Sequence, residues 1–202
     1  MRKFRKILLI SFVLFSLFIL GGVWADHYAL QENLIRLHVV ANSDSAYDQD
    51  NKLVVRDAVI SFLQENTADI TTVSDAKVYL ENSLQEIENI VNQTLKRIDA
   101  PYFGKVSFQK EQFPMREYDT FSLPSGIYQS LRIELGNGTG KNWWCVTFPS
   151  LCVPKTTEDF RTTAIEAGFQ DNLVGAISGD TYEIRFFLLD CFGKIKNFLY
   201  FG

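Results

Sequence analysis

Residues 34–63, LIRLHVVANSDSAYDQDNKLVVRDAVISFL, commit the chain to a strand that feeds directly into a helix. Ile35, Leu37, Val39 and Ala41 alternate with Arg36, His38 and Asn42, and Val40 is the one apolar residue out of step. This is the period-two pattern of a half-buried strand. A polar corner, Asn42-Ser43-Asp44-Ser45, follows. Ser45 is placed to accept from the free N–H groups of a helix start, and Asp48 three residues on completes an S-x-x-D capping box. Val55, Val59, Phe62 and Leu63 then recur at helical spacing, while Asp48, Asp50, Lys52, Arg56 and Asp57 fall on faces expected to be solvated.

The rest of the chain extends this α+β pattern. The polar link ENTADITTVS at 65–74 reads as a loop whose final serine caps a second helix. Leu80, Leu84, Ile87, Val91, Leu95 and Ile98 form that helix's apolar stripe up to Pro101, suited to packing on a sheet or, alternatively, to a coiled coil. From Gly104 the period changes to two, and Val106 and Phe108 mark a strand. Ile127, Leu131, Ile133 and Leu135, alternating with Tyr128, Ser130, Arg132 and Glu134, mark a clearer one. The glycine-rich GNGTG at 136–140 then reads as a hairpin turn into a third strand, NWWCVTF. Residues 111–126, with two prolines, form a long loop of the kind that is often functional. A helix is expected over 157–168, ending at Gly168, and a strand over 181–189, TYEIRFFLL. The expected architecture is a mixed or antiparallel sheet of four or five strands with the two long helices on one face.

Charge divides the chain. Residues 1–25 hold Arg2, Lys3, Arg5 and Lys6 and no acidic residue, so the remainder sets 16 basic residues against 24 acidic ones, a net −8. Nucleic acid is a poor partner for such a surface, because phosphate binding needs a basic patch. The basic cluster precedes an apolar run, Ile7 to Val23. That run is a membrane-targeting segment: an export signal cleaved after Val23-Trp24-Ala25, or an uncleaved anchor. In either case the positive residues hold the N-terminus in the cytoplasm and everything from Asp26 onward is exported. The chain therefore divides into a targeting segment, 1–25, and one exported domain, 26–202.

No constellation of chemical groups is decisive. GNGTG lies between strands and lacks the G-x-x-G ending, so it is not a dinucleotide loop. Asp44, Asp48 and Asp50, with Asn42 and Asn51, lack the spacing and glycine of a calcium loop, and capping explains them better. Cys145, Cys152 and Cys191 have no zinc spacing. In an oxidising compartment Cys145 and Cys152 could form a disulfide if Pro149 turns the chain; the alternative is buried free thiols. A Cys145 nucleophile with His38 as base is conceivable, although an apolar strand blunts a thiol. Trp143 and Trp144 must point to opposite faces, one into the core and the other either covered or available to a partner. Arg36, His38 and Asn42 either satisfy one another beneath a loop or face a partner. Arg56 and Asp57 read as a structural pair with the corner.

Two blocks, IRLHVVANSDS with DQDNKLVVRDAV and LPSGIYQSLRIELGNGTGKNWWCVTFPSLC at 123–152, resemble the signatures of the stage II sporulation protein R family, secreted signalling proteins of endospore-forming bacteria. The chain departs from that pattern at Ala46 and Ser150, where the family usually has proline, and at Thr147, where it has leucine. The resemblance implies export from the forespore into the space between forespore and mother cell. There the protein would activate a membrane-embedded aspartic protease of the mother cell, leading to processing of the sigma factor E precursor. It implies recognition without bond chemistry, and no cofactor, metal or small-molecule substrate; the expected partners are that protease and, through the N-terminal segment, the membrane. The candidate partner-binding residues are Arg36, His38, Asn42, Asp44, Trp143 and Trp144. The alternatives are an exported cell-envelope hydrolase using Cys145 with His38 or the carboxylates at 44–50, and a tethered binding module for another envelope protein.

Overall fold

Leu34 alone separates a 32-residue helix from the strand at the centre of the sheet. The computed structural model describes residues 2–149, 157–178 and 184–201. In chain order these form α1 (Arg2–Asn33), β1 (Ile35–Val40), α2 (Ala46–Asn66), α3 (Val73–Arg97), β2 (Gly104–Phe113), β3 (Arg116–Glu117), β4 (Ser122–Leu123), β5 (Gly126–Leu135), β6 (Asn142–Phe148), α4 (Thr157–Glu166), α5 (Asp171–Ser178) and α6 (Ile184–Phe201). The fold is α+β, with a four-stranded mixed sheet in the order β2-β5-β1-β6. β1 pairs in parallel with β5, Leu37 opposite Leu131, and antiparallel with β6, Leu37 opposite Cys145.

The two long helices pack on one face, as the periodicity predicts. Ile35, Leu37 and Val39 meet Val55, Val59 and Leu63 of α2 and Leu80, Ile87, Val91 and Leu95 of α3 in one buried cluster. Each such side chain stabilises the fold by ~1.5–3 kcal/mol through removal of apolar surface from water. Ser45 caps α2 as expected, its side chain accepting from the Asp48 N–H. The second cap is shifted: Thr72, not Ser74, accepts from the Asp75 N–H at the start of α3. Asp48 and Lys52 are buried, contrary to the solvated face expected of them.

β1 is covered on both faces, so all six of its residues are buried and it is not the half-exposed strand its alternation implies. The second layer contains the end of α1 (Val23, Leu30), Phe160 and Ala164 of α4, Leu173, Val174 and Ile177 of α5, and Leu189 of α6. They close over Phe113, Tyr128 and Val146, on the face opposite α2 and α3. α1 is long and apolar enough to cross a membrane. Its side chains at 7–10 and 17–20 stand exposed, whereas Val23, His27, Leu30 and Gln31 are buried in the domain. The helix passes through residues 25 and 26 without a break.

Three further expectations need correction. The GNGTG segment is not a hairpin turn, because β5 and β6 are not neighbours; it crosses the end of β1, which lies between them. The segment 181–189 is not a strand: residues 184–201 are helical, and 181–183 lie outside the described residues. The continuous apolar run FFLL carries no period that separates strand from helix. Leu189, Asp190, Gly193 and Asn197, at helical spacing, instead form a buried face on α1 and the start of β5. A Cβ on Gly193 would overlap the Ser125 carbonyl oxygen, so only glycine permits this approach. The loop expected over 111–126 is shorter, because β2 runs on to Phe113 and a small antiparallel hairpin, β3–β4, occupies the remainder. The helix ending at Gly168 is present, with that glycine at φ 91°.

Candidate functional site

The corner after β1 and the GNGTG crossover tie each other down. Asn42 Oδ1 accepts from the Asn137 N–H at 2.9 Å, its carbonyl accepts from Thr139 Oγ1 at 2.8 Å, and its Nδ2 donates to Asp48 at 2.8 Å. The Gly140 N–H reaches the Ala41 carbonyl at 2.9 Å, and the Lys141 N–H reaches Asp44 Oδ1 at 2.7 Å. Gly136 holds φ 57°, and a Cβ there would strike the Asn42 amide. Lys52 Nζ donates to the Lys141 carbonyl at 3.0 Å and to Gln49 at 2.7 Å.

Beneath this crossover, Asp48 also accepts from Ser43 and from the Tyr102 hydroxyl. Burial pushes the Asp48 carboxyl up, but bonds from Ser43, Tyr102 and Asn42 outweigh it and hold the group below its usual range. Burial and the neighbouring carboxylate push the Tyr102 phenol up to about 12. The acidic corner is thus a hydrogen-bonded structural knot. No group of three or more His, Cys, Asp or Glu suited to a metal ion occurs among the described residues.

Alternation along β1 sends Arg36 and His38 to the face opposite α2 and α3. His38 stacks on Trp144 with ring centroids 5.5 Å apart, its Nε2 2.8 Å from Asn142 Oδ1 and its Nδ1 3.2 Å from both Glu111 oxygens. Arg132 donates to Glu111 at 2.6 Å and also pairs with Glu134. Burial raises the Glu111 carboxyl, but the bonds from His38 and Arg132 pull it down to about 2.

Arg36 is fully buried. Its Nη2 donates to the Tyr118 hydroxyl at 2.6 Å, and its guanidinium lies 4.1 Å from the Phe113 ring centre and 5.1 Å from that of Tyr128. Its Nε and Nη1 have no hydrogen-bond partner among the described residues. Arg116, on the β3–β4 hairpin, lies 3.7 Å over Trp144, and its Nε is also buried with no partner among the described residues. Burial first, and then the charge of Arg36, push the Arg116 guanidinium below its ordinary value.

Of the six predicted residues, the structure brings Arg36, His38 and Trp144 together on this face. Asn42 and Asp44 sit in the corner, bonded to the crossover. Trp143 faces the other way, beneath Arg56 at 5.0 Å, and Arg56 pairs with the adjacent Asp57 and not with the corner. Cys145 is disulfide-bonded, while Cys191 is free; Cys152, the other half of the expected pairing, lies outside the described residues. Cys145 stands opposite Leu37 in the α2–α3 core and His38 opposite Trp144 on the reverse face, so the conceivable thiol–imidazole pair is not assembled.

Glu111, Arg116, Tyr118, Arg132 and Asn142 were missed. Three of them fall in what reads as a loop from 111 onward. The period-two pattern of Lys105, Ser107 and Gln109 continues through Glu111, and following it would have placed Glu111 beside the polar face of β5.

Comparison with known proteins gives one concordant result. The family model described as Stage II sporulation protein R matches residues 31–158, from the end of α1 through β6 to the start of α4. A curated relative, the Stage II sporulation protein R of Bacillus subtilis (strain 168), is 40% identical over 123 residues. That match covers 61% of this chain and 55% of the relative, so the chain spans little more than half the relative's length. No solved structure matches. The matched region holds the Asn42 corner, the crossover over it and the Arg36–His38 face, and through it this chain belongs to the stage II sporulation protein R family.

Proposed function

We propose that this protein is an intercellular activator. Made in the forespore, it is exported into the space between forespore and mother cell, where it switches on a membrane-embedded aspartic protease of the mother cell that processes the sigma factor E precursor. Family membership, which carries a role in sporulation, is the observation that supports this reading. The N-terminal basic cluster ahead of an apolar helix is consistent with an export signal or an anchor. The exported domain, residues 26–202, acts by recognition. To turn a protease that is roughly 1% active into one that is roughly 99% active, it must bind the active state about 10⁴-fold more tightly than the inactive state. The proposed contact surface is the rim of this face, where the partly exposed Trp144 and Arg116 stand over the buried Arg36 and His38, because it groups aromatic rings and arginine, the residue types that anchor interfaces. Asn42 and Asp44 support it by fixing the end of β1, and Trp143 supports it from the opposite side.

The test is reconstitution. The full chain in nanodiscs is added to proteoliposomes that display the candidate protease with its extracytoplasmic side outward, and precursor cleavage is followed. Saturable stimulation by the chain is expected. Cleavage at the same rate with and without it would overturn the proposal.

A further inference from the structure

The fold itself does not explain Arg36. A buried guanidinium is normally matched by a carboxylate or by a full set of acceptors, because an unpaired buried cation is costly. Here five N–H donors meet one acceptor, the Tyr118 hydroxyl, and two ring faces. The rings offset part of the cost. Nε and Nη1 stay unbonded, and no carboxylate pairs with Arg36 among the described residues.

A second arginine stands at the rim of the same site. The guanidinium carbon of Arg116 lies 3.7 Å over the Trp144 ring with its Nε buried and unbonded, while the residue as a whole stays partly exposed, so its outer N–H groups are the ones placed to meet a planar acceptor. Tyr118, two residues after Arg116, bonds to Arg36. Its oxygen accepts from Arg36, which leaves its own hydrogen to donate elsewhere. Both Arg116 and Tyr118 are half-buried and reachable from solvent, and the nearby acids Glu117 and Asp119 are exposed. Two cations, a phenol donor and unused N–H groups together form an anion site.

Resting on the activator reading, we propose that Arg116 and Tyr118, backed by Arg36, receive an aspartate or glutamate side chain of the protein partner. A single carboxylate fits better than an anionic lipid surface. The chain beyond residue 25 carries a net −8, and Glu117 and Asp119 flank the site, so a sheet of phosphates would be repelled where one planar acceptor is accommodated.

The experiment uses the full chain in phosphatidylcholine nanodiscs, with tryptophan emission as readout because Trp144 lies directly under Arg116. N-acetylglutamate amide is titrated against its glutamine analogue, inorganic phosphate and nanodiscs containing anionic phospholipid. A saturable change with the glutamate probe alone is expected, weakened at least 10-fold in Arg116→Gln and in Tyr118→Phe, with unchanged far-ultraviolet circular dichroism. Arg116→Gln should also raise at least 10-fold the concentration of the chain needed to stimulate the protease.

Equal response to glutamine, a response to phosphate or lipid only, or no response overturns the site, as does wild-type binding by Arg116→Gln. The two ideas fail separately. Glutamate binding by a chain that leaves the protease unstimulated sinks the activator reading and keeps the carboxylate site. Full stimulation by Arg116→Gln sinks the docking role and keeps the activator.

Discussion

Asn42 offers the sharpest test of how the two halves of the matched region are joined. Asn42→Ala removes an acceptor from the Asn137 N–H and a donor to the buried Asp48 carboxylate. A neutral bond contributes ~1 kcal/mol and a bond to a charged group ~1.5–3 kcal/mol, and Asn42 is partly exposed, so a loss of about 2–3 kcal/mol is expected. For a chain of this size that lowers the melting temperature by about 5–10 °C. Asn42→Asp keeps the Oδ1 acceptor but sets a second carboxylate where the amide donated to Asp48 at 2.8 Å. Close like charges repel by roughly 4 kcal/mol at an effective dielectric of 20, so the Asp variant should be the less stable of the two at pH 7. Repulsion raises the new carboxyl's folded pKa above its unfolded value, so its deficit relative to Asn42→Ala must shrink as the pH falls from 7 towards about 4. Calorimetry or circular dichroism melts of the full chain in detergent at both pH values measure this. An Asp variant as stable as the Ala variant at pH 7, or a gap that does not narrow on acidification, refutes the reasoning.

Glu111 is depressed to about 2, below its ordinary 4.5, so its contribution to stability is present above about pH 4.5 and lost as the pH falls towards 2. At about 1.4 kcal/mol per unit this amounts to a few kcal/mol, and Glu111→Gln should flatten the stability–pH curve in that window in acid titrations of the melting temperature. Gly193→Ala drives a methyl into the Ser125 carbonyl and should cost at least about 1–3 kcal/mol by overpacking, read as a lower denaturant midpoint at unchanged m-value; an unaltered midpoint would contradict the packing of α6 on the start of β5.

Local structure was largely legible in the sequence, and long-range pairing was not. The Ser45 cap, the α3 stripe ending before Pro101 and the edges of β5 follow from short-range rules of capping and period. The position of β1 between β5 and β6 does not, because a glycine-rich link between two strands suits a hairpin and a crossover equally until the third strand is known to lie between them. Arg36 and His38 read as the polar side of a half-exposed strand because the second helical layer, drawn from both ends of the chain, leaves no mark on β1 itself. Glu111, Arg116 and Tyr118 were hidden for a related reason: two prolines made the segment look like a simple loop. The helical character of 184–201 was obscured by an apolar run without period.

A central strand near the beginning of the chain, completed by neighbours from beyond its midpoint, has a cost during folding. β1 presents two open edges until residues 126–148 arrive to pair with it. In a chain being synthesised or threaded through a channel, that apolar, unpaired ribbon is the segment most liable to join with another copy. Closing such distant pairs is also slow, so the chain must be available as far as Phe148 before the sheet can lock.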